Sequence, residues 1–207
     1  METATRGNRA MATITPPPTR PPIFNLPNQL TASRFVLALV LFGLIAGHFW
    51  LACLVVFILA AFTDWLDGYL ARKQGLTSTL GRNLDPLVDK VLTCGAYIFL
   101  MPVDRAGVTP WIVTIVVSRE LVITSLRSFL ENQGAKFGAE WLGKLKMGLQ
   151  CAALIAIFIV LQVPTEHEWY PFLDWVKEVL IYAMLASTIL SGLQYLWKSA
   201  LLLKRDS

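Results

Sequence analysis

From Phe35 to Phe62 the chain carries no charged residue. One helix of that length would overshoot a hydrocarbon core of about 30 Å, which roughly 20 residues suffice to cross. The Gly47-His48 pair is the place to break the run into two helices. Apolar stretches of similar length recur to the C-terminus, so helices are expected at 29–47, 50–72, 81–101, 110–130, 144–163 and 174–198. Pro102, Pro110, Pro164 and Pro171 punctuate the ends on one side. No alternation of period two speaks for a barrel. With 55% hydrophobic residues, 15% charged residues and a mean hydropathy of +0.56 over 207 residues, the chain is too apolar for a soluble domain. The expected fold is an all-α integral membrane protein with six transmembrane helices.

Residues 1–24 hold Arg6, Arg9, Arg20 and a run of prolines, with no apolar segment of the kind a secretory signal needs. They cannot bury enough surface to fold and read as a basic, Pro-rich disordered tail ahead of a membrane domain at 25–207. A transit peptide is the competing reading, against which the prolines argue. The net charge of +4 raises the question of nucleic acid, but the basic residues distribute by membrane side instead. Arg34, Arg72, Lys73, Arg82, Arg127, Lys136, Lys144, Lys146, Lys198, Lys204 and Arg205 fall on one side of a six-helix fold together with the tail. The other side holds His48, the short Asp104-Arg105 loop and an acidic stretch with Glu166, Glu168 and Asp174, relieved by Lys177. By the positive-inside rule the basic side is cytoplasmic, which puts both termini there and points to a bacterial inner or plasma membrane. Trp50, Trp111, Trp169 and Trp175 fall at expected interfaces, where tryptophan anchors helices. Cys53, Cys94 and Cys151 lie in apolar runs without partners at metal-ligand spacing and read as inert core residues.

The second and third helices carry the chemistry. Asp64, Asp67, Gly68 and Ala71 share one helical stripe, and Gly81, Asp85 and Asp89 share another. The link between them is short, so the two helices are expected to pack as an antiparallel pair with these stripes opposed. Four carboxylates brought together near a membrane must bind something positive. An oxygen-only set suits a hard cation, Mg²⁺ or Mn²⁺, and two ions would balance the charge. Helix capping would explain Asp85 alone, ahead of Pro86, but not all four aspartates.

The run from Asp64 to Asp89, D-x-x-D-G-x-x-A-R-x8-G-x-x-x-D-x-x-x-D, resembles the signature of the CDP-alcohol phosphotransferases at every fixed position. The likeness extends over nearly all of the chain beyond residue 24. Asn25 to Thr31 with Arg34, Ser118 to Leu121 with Arg127, and Gly143 to Lys146 ending at Gln150 are similar to the phosphatidylglycerophosphate-forming branch, with departures at Met147 and Gly148. The resemblance implies a homodimer of six-helix subunits whose site opens to the cytoplasmic leaflet. It implies transfer of a phosphatidyl group from CDP-diacylglycerol to an alcohol with release of CMP. Under it Asp64, Asp67 and Asp85 are metal ligands, and Asp89 is both a ligand and the general base. Gly68, Ala71, Arg72, Ser78 and Gly81 hold the cytidine and pyrophosphate, with Asn28 and Thr31 closing that pocket. No Ser, Cys or His flanks the cluster to form a covalent intermediate.

Arg119 falls near the middle of the fourth helix, where a guanidinium is costly without a partner. Glu120 faces elsewhere on the helix, so an ion pair between neighbours is not expected. Arg127 and Lys144 are the residues expected to meet Arg119 around an anionic pocket, which suits sn-glycerol 3-phosphate, the acceptor that the branch implies. The plainer readings are a topology charge for Lys144 and an interfacial snorkelling residue for Arg127. Lys146, Arg34, Lys136 and Lys204-Arg205 read as topology determinants or contacts to anionic membrane lipids. Inositol phosphate, serine and phosphatidylglycerol are alternative acceptors. An intramembrane prenyltransferase and a divalent-cation transporter are competing classes, the latter disfavoured because no internal repeat is found.

Overall fold

A computed structural model describes the backbone at residues 26–74, 79–132 and 141–203 and the side chains at 32–63, 87–130 and 141–200. The tail expected at 1–24 lies outside the described residues. Six α-helices follow in order, α1 (Leu26–Ala46), α2 (Trp50–Gln74), α3 (Thr79–Leu100), α4 (Pro110–Asn132), α5 (Trp141–Gln162) and α6 (Tyr170–Leu203), with a single 3-10 turn at Asp104–Ala106. No strand occurs among the described residues. α5 and α6 are long and apolar enough to cross a membrane, and Ala32–Ala46 and Trp50–Thr63 are shorter apolar segments. The outer faces are paved with large apolar side chains, among them Leu39, Val55, Leu59, Val122, Leu190 and Leu193. Such a surface suits lipid and not water.

The break between the first two helices is a helix C-cap. The His48 amide bonds to the Ile45 carbonyl and the Phe49 amide to the Leu44 carbonyl, both at 3.0 Å, around His48 at φ 59°. These paired bonds satisfy carbonyls that would otherwise be orphaned in lipid. The His48 ring meets the half-buried Trp50 edge-on, at 5.1 Å. Trp111, Trp169 and Trp175 are exposed, as an interfacial belt requires.

The expected pairing of the stripes at 64–71 and 81–89 falls largely outside the described side chains. Over the described residues α1 lies against both α2 and α3. Phe42 of α1 stacks on Phe99 of α3 with centroids 4.9 Å apart. A Cβ added at Gly95 would come within 2.1 Å of the same Phe42 ring. The small residues of α3, Gly95 and Ala96, thus receive α1. α2 also packs on α5, where Phe57 and Phe158 meet at 6.1 Å. The Tyr97 hydroxyl donates to the Gln150 carbonyl at 3.0 Å and ties α3 to α5.

The end of the bundle opposite the aspartates is also more structured than its sequence suggested. Arg105 Nη2 donates to the carbonyls of Val160 and Val163 at 3.0 and 2.6 Å, closing the last turn of α5 with a positive charge where the helix dipole favours one. Its guanidinium lies over Tyr170, 4.9 Å from the ring centroid. Lys177, read from sequence as relief for an acidic loop, is buried at 3% exposure. Its ammonium donates to the Arg105 carbonyl at 3.0 Å and pairs with Asp174 at 2.7 Å and Glu178 at 3.2 Å. Gly107, at φ 72°, closes the turn; a Cβ there would stand 2.5 Å from Glu178 Oε1. Gly107→Ala is therefore expected to cost about 1–3 kcal/mol from backbone strain and crowding, read as a lower melting temperature of the purified protein in detergent.

Candidate active site

Asp64, Asp67, Gly68, Ala71 and Arg72 belong to α2, Gly81, Asp85 and Asp89 to α3, and Asn28 and Thr31 to α1. Of these, only the Asp89 side chain is among those described; Ser78 and the other side chains lie outside them. No group of at least three His, Cys, Asp or Glu gathers among the described residues. Asp89 is half-buried near the middle of α3, and its carbonyl accepts the Thr93 hydroxyl at 3.0 Å. Its neighbour Lys90 turns toward α4 and donates to the Thr124 hydroxyl. Thr124 in turn donates to the Glu120 carbonyl at 2.6 Å.

That path leads to a buried charge cluster where α3, α4, α5 and α6 come together. Arg119 Nη1 pairs with Glu120 Oε1 at 3.0 Å, and Nη2 donates to the Ser191 hydroxyl of α6 at 3.0 Å. Lys146 of α5 pairs with the same Glu120 oxygen. Glu120 and Lys146 are 6% and 4% exposed, so neither charge is solvated and each depends on the other. Arg119 Nε is buried and finds no partner among the described residues. An unpartnered charged donor at this depth is costly unless a ligand takes it.

The cluster changes two expectations. Arg119 does pair with its sequence neighbour, because the long arginine side chain bends around the helix to reach a carboxylate one position away. Lys146 is an interior residue and not a topology charge or lipid contact. Arg34 departs from its reading in the same way, being 1% exposed within the bundle. Arg127 and Lys144, expected beside Arg119, are exposed, and neither bonds to its guanidinium. Glu120 and Ser191 were missed as site residues. The signal that could have found them is the pairing problem itself: a carboxylate and a basic residue on successive apolar helices must be compensated somewhere.

Comparison with known proteins bears directly on this arrangement. Residues 24–200 match the CDP-alcohol phosphatidyltransferase family. The chain is 35% identical over 192 residues to the CDP-diacylglycerol–glycerol-3-phosphate 3-phosphatidyltransferase of Bacillus subtilis, covering 86% of this chain and 96% of that one. Proteins of the same name from Rickettsia typhi and Haemophilus influenzae are each 32% identical, over 83% and 84% of this chain and 94% and 92% of theirs. The chain belongs to the CDP-alcohol phosphatidyltransferase family.

Membership sets aside the prenyltransferase and transporter readings, and the region matched to the family takes in both the aspartate-bearing helices and the Arg119 cluster. Gly192 of α6 fits this cluster closely, since a Cβ there would lie 3.3 Å from Arg119 Cγ. Arg119 is pinned on both sides and cannot yield without loosening a bond. Gly148 has nothing within 4 Å of an added Cβ. Gly192→Ala is expected to lower stability in detergent by about 1–3 kcal/mol through overpacking. Gly148→Ala, the matched control, should be neutral or gain up to about 1 kcal/mol from helix propensity.

Proposed function

We propose that the protein transfers the phosphatidyl group of CDP-diacylglycerol to sn-glycerol 3-phosphate, giving phosphatidylglycerophosphate and CMP. The observation that carries the acceptor is the Arg119 guanidinium, buried and anchored on both sides with its Nε–H unpartnered. A phosphorylated alcohol supplies the anion that this donor lacks, whereas an acceptor without any anionic group leaves it with the full cost of desolvation. The names of the relatives over nearly their whole length support the same acceptor.

In this reading Asp64, Asp67, Asp85 and Asp89 hold divalent metal, Mg²⁺ or Mn²⁺ and two ions by charge balance. The donor set fits, because carboxylate oxygens are the ligands such hard cations prefer. Held by these carboxylates, such ions would supply positive charge to offset that of the pyrophosphate and of the leaving CMP. Gly68, Ala71 and Gly81 offer a surface without bulk to the cytidine, Arg72 and Ser78 bind the pyrophosphate, and Asn28 and Thr31 close the pocket. Arg119 grips the acceptor phosphate, with Arg127 and Lys144 as exposed cations at its rim, and leaves the C1 hydroxyl toward Asp89. Asp89 takes the hydroxyl proton as the oxygen bonds to the phosphatidyl phosphorus. The bond from that phosphorus to the bridging oxygen breaks, and CMP leaves with the electron pair.

The proposal extends to six membrane spans with both termini cytoplasmic and to a homodimer in a bacterial inner or plasma membrane. Exposed Arg127, Lys144 and Lys198 at one end of the bundle and exposed Glu166 and Glu168 at the other support that orientation.

Purified protein given CDP-diacylglycerol, Mg²⁺ or Mn²⁺ and labelled alcohols should release CMP with sn-glycerol 3-phosphate and stop when the metal is chelated. Asp89→Asn should lower kcat by about 10² to 10⁴ while CDP-diacylglycerol binding, read by tritiated ligand, largely survives. CMP formation at the wild-type rate in that variant removes Asp89 as the base. Preference for a neutral alcohol removes the acceptor assignment.

A further inference from the structure

We infer that Glu120 is a positioning residue for the acceptor phosphate, acting through Arg119 and needing Lys146 only as its counter-charge. The inference rests on the acceptor reading above and adds to it a residue that touches no substrate.

Three observations carry it. Glu120 Oε1 receives both Arg119 Nη1 at 3.0 Å and the Lys146 ammonium, so one buried oxygen serves two cations. Ser191 takes Nη2 from the opposite side at 3.0 Å, and Gly192 leaves room for the arginine stem, so the guanidinium plane is fixed by two anchors on two helices. The Nε–H is the donor that these anchors leave without a partner. A planar guanidinium held this way presents its remaining donors in one direction, and orientation matters for a fork that binds phosphate oxygens. Without Glu120 the arginine would keep its charge but lose its aim. Lys146 has a different part. It lies 4% exposed with its ammonium on Glu120, and it balances a carboxylate that would otherwise draw Arg119 into a closed neutral pair.

The cluster is also tied to the helix that bears Asp89. Lys90 of α3 donates to Thr124, which donates to the carbonyl of Glu120. Glu120 therefore sits where the register of α4 against α3 is set, between the group that grips the phosphate and the helix that carries the base.

The test uses the full-length enzyme in detergent, with CMP release measured against each substrate. Glu120→Gln should raise KM for sn-glycerol 3-phosphate by about tenfold to a hundredfold, the usual worth of a hydrogen bond to a charged group, and leave KM for CDP-diacylglycerol unchanged. Ser191→Ala, which removes the second anchor, should shift the same constant in the same direction by less. Because Glu120→Gln strands Lys146, its melting temperature should fall. The double variant Glu120→Gln/Lys146→Met removes both charges and should recover the melting temperature while KM for the acceptor stays high. A purely structural role predicts the reverse, with the acceptor KM recovering together with stability, and that result overturns the inference. An unchanged acceptor KM in a folded Glu120→Gln enzyme overturns it as well, leaving the proposed reaction intact. Wild-type enzyme that releases no CMP with sn-glycerol 3-phosphate defeats the reaction and the inference together.

Discussion

Arg119 sits near the middle of α4 with its side chain only 13% exposed, too little to solvate a guanidinium fully, and the inner half of the bundle is arranged around that fact. Its charge is met by Glu120, whose own charge is met again by Lys146, and Ser191 supplies a hydroxyl from α6. A buried ion pair is weak evidence of stability, since its desolvation cost rivals its Coulomb gain. Under the proposed reaction the cluster is explained by the acceptor phosphate that its leftover donor would bind. The same constraint accounts for Gly192, which keeps α6 close to the arginine stem, and for the small and hydroxylated side chains of Ser187, Thr188 and Ser191 buried on that face.

The two ends of the bundle solve different problems. At the end holding Arg105, cationic side chains are spent on structure: Arg105 closes the last turn of α5, and Lys177 locks that turn to α6 through Asp174 and Glu178. At both levels a guanidinium Nε is buried without a hydrogen-bond partner among the described residues, on Arg105 as on Arg119. What differs is the charge around it: Lys177 meets two carboxylates, whereas Arg119 and Lys146 share one.

Much of this architecture was legible in the residues. Apolar length and the flanking prolines placed all six helices to within several residues, and the Gly47-His48 break was where the chain turns. The depth of Arg119 in an apolar run marked it as a residue needing a partner. What the sequence did not reveal depends on neighbours from other helices. A helical wheel puts Glu120 a hundred degrees from Arg119, and only the length and flexibility of arginine bring the two together. Lys146 lies one turn from the start of α5, where a lysine ordinarily marks the membrane boundary, and its inward face is decided by Glu120 on another helix. The packing of α1 against both α2 and α3 was hidden for a similar reason, since nothing in the spacing of α3 gave sign of the Gly95 cleft that receives Phe42. The aspartate stripes themselves were read from spacing, and of their side chains the structure describes Asp89 alone.

The charge balance of the cluster bears on why the proposed acceptor is a phosphorylated alcohol. Arg119 and Lys146 converge on a single carboxylate, and Lys90 joins them through Thr124, so Glu120 leaves an excess of positive charge in a region of low dielectric. An excess of that kind is costly in the empty site and is relieved when a phosphate dianion enters, so binding energy is concentrated at the end of the acceptor remote from the reacting hydroxyl. Energy gained there can hold the hydroxyl against Asp89, which is how remote contacts come to serve the chemical step. An alcohol without phosphate would gain little from the same pocket and would have to be positioned by contacts near the reacting oxygen. Under the proposed reaction, a cationic grip on α4 set apart from the acid-bearing helices α2 and α3 would give the acceptor its polarity, with phosphate toward Arg119 and hydroxyl toward Asp89.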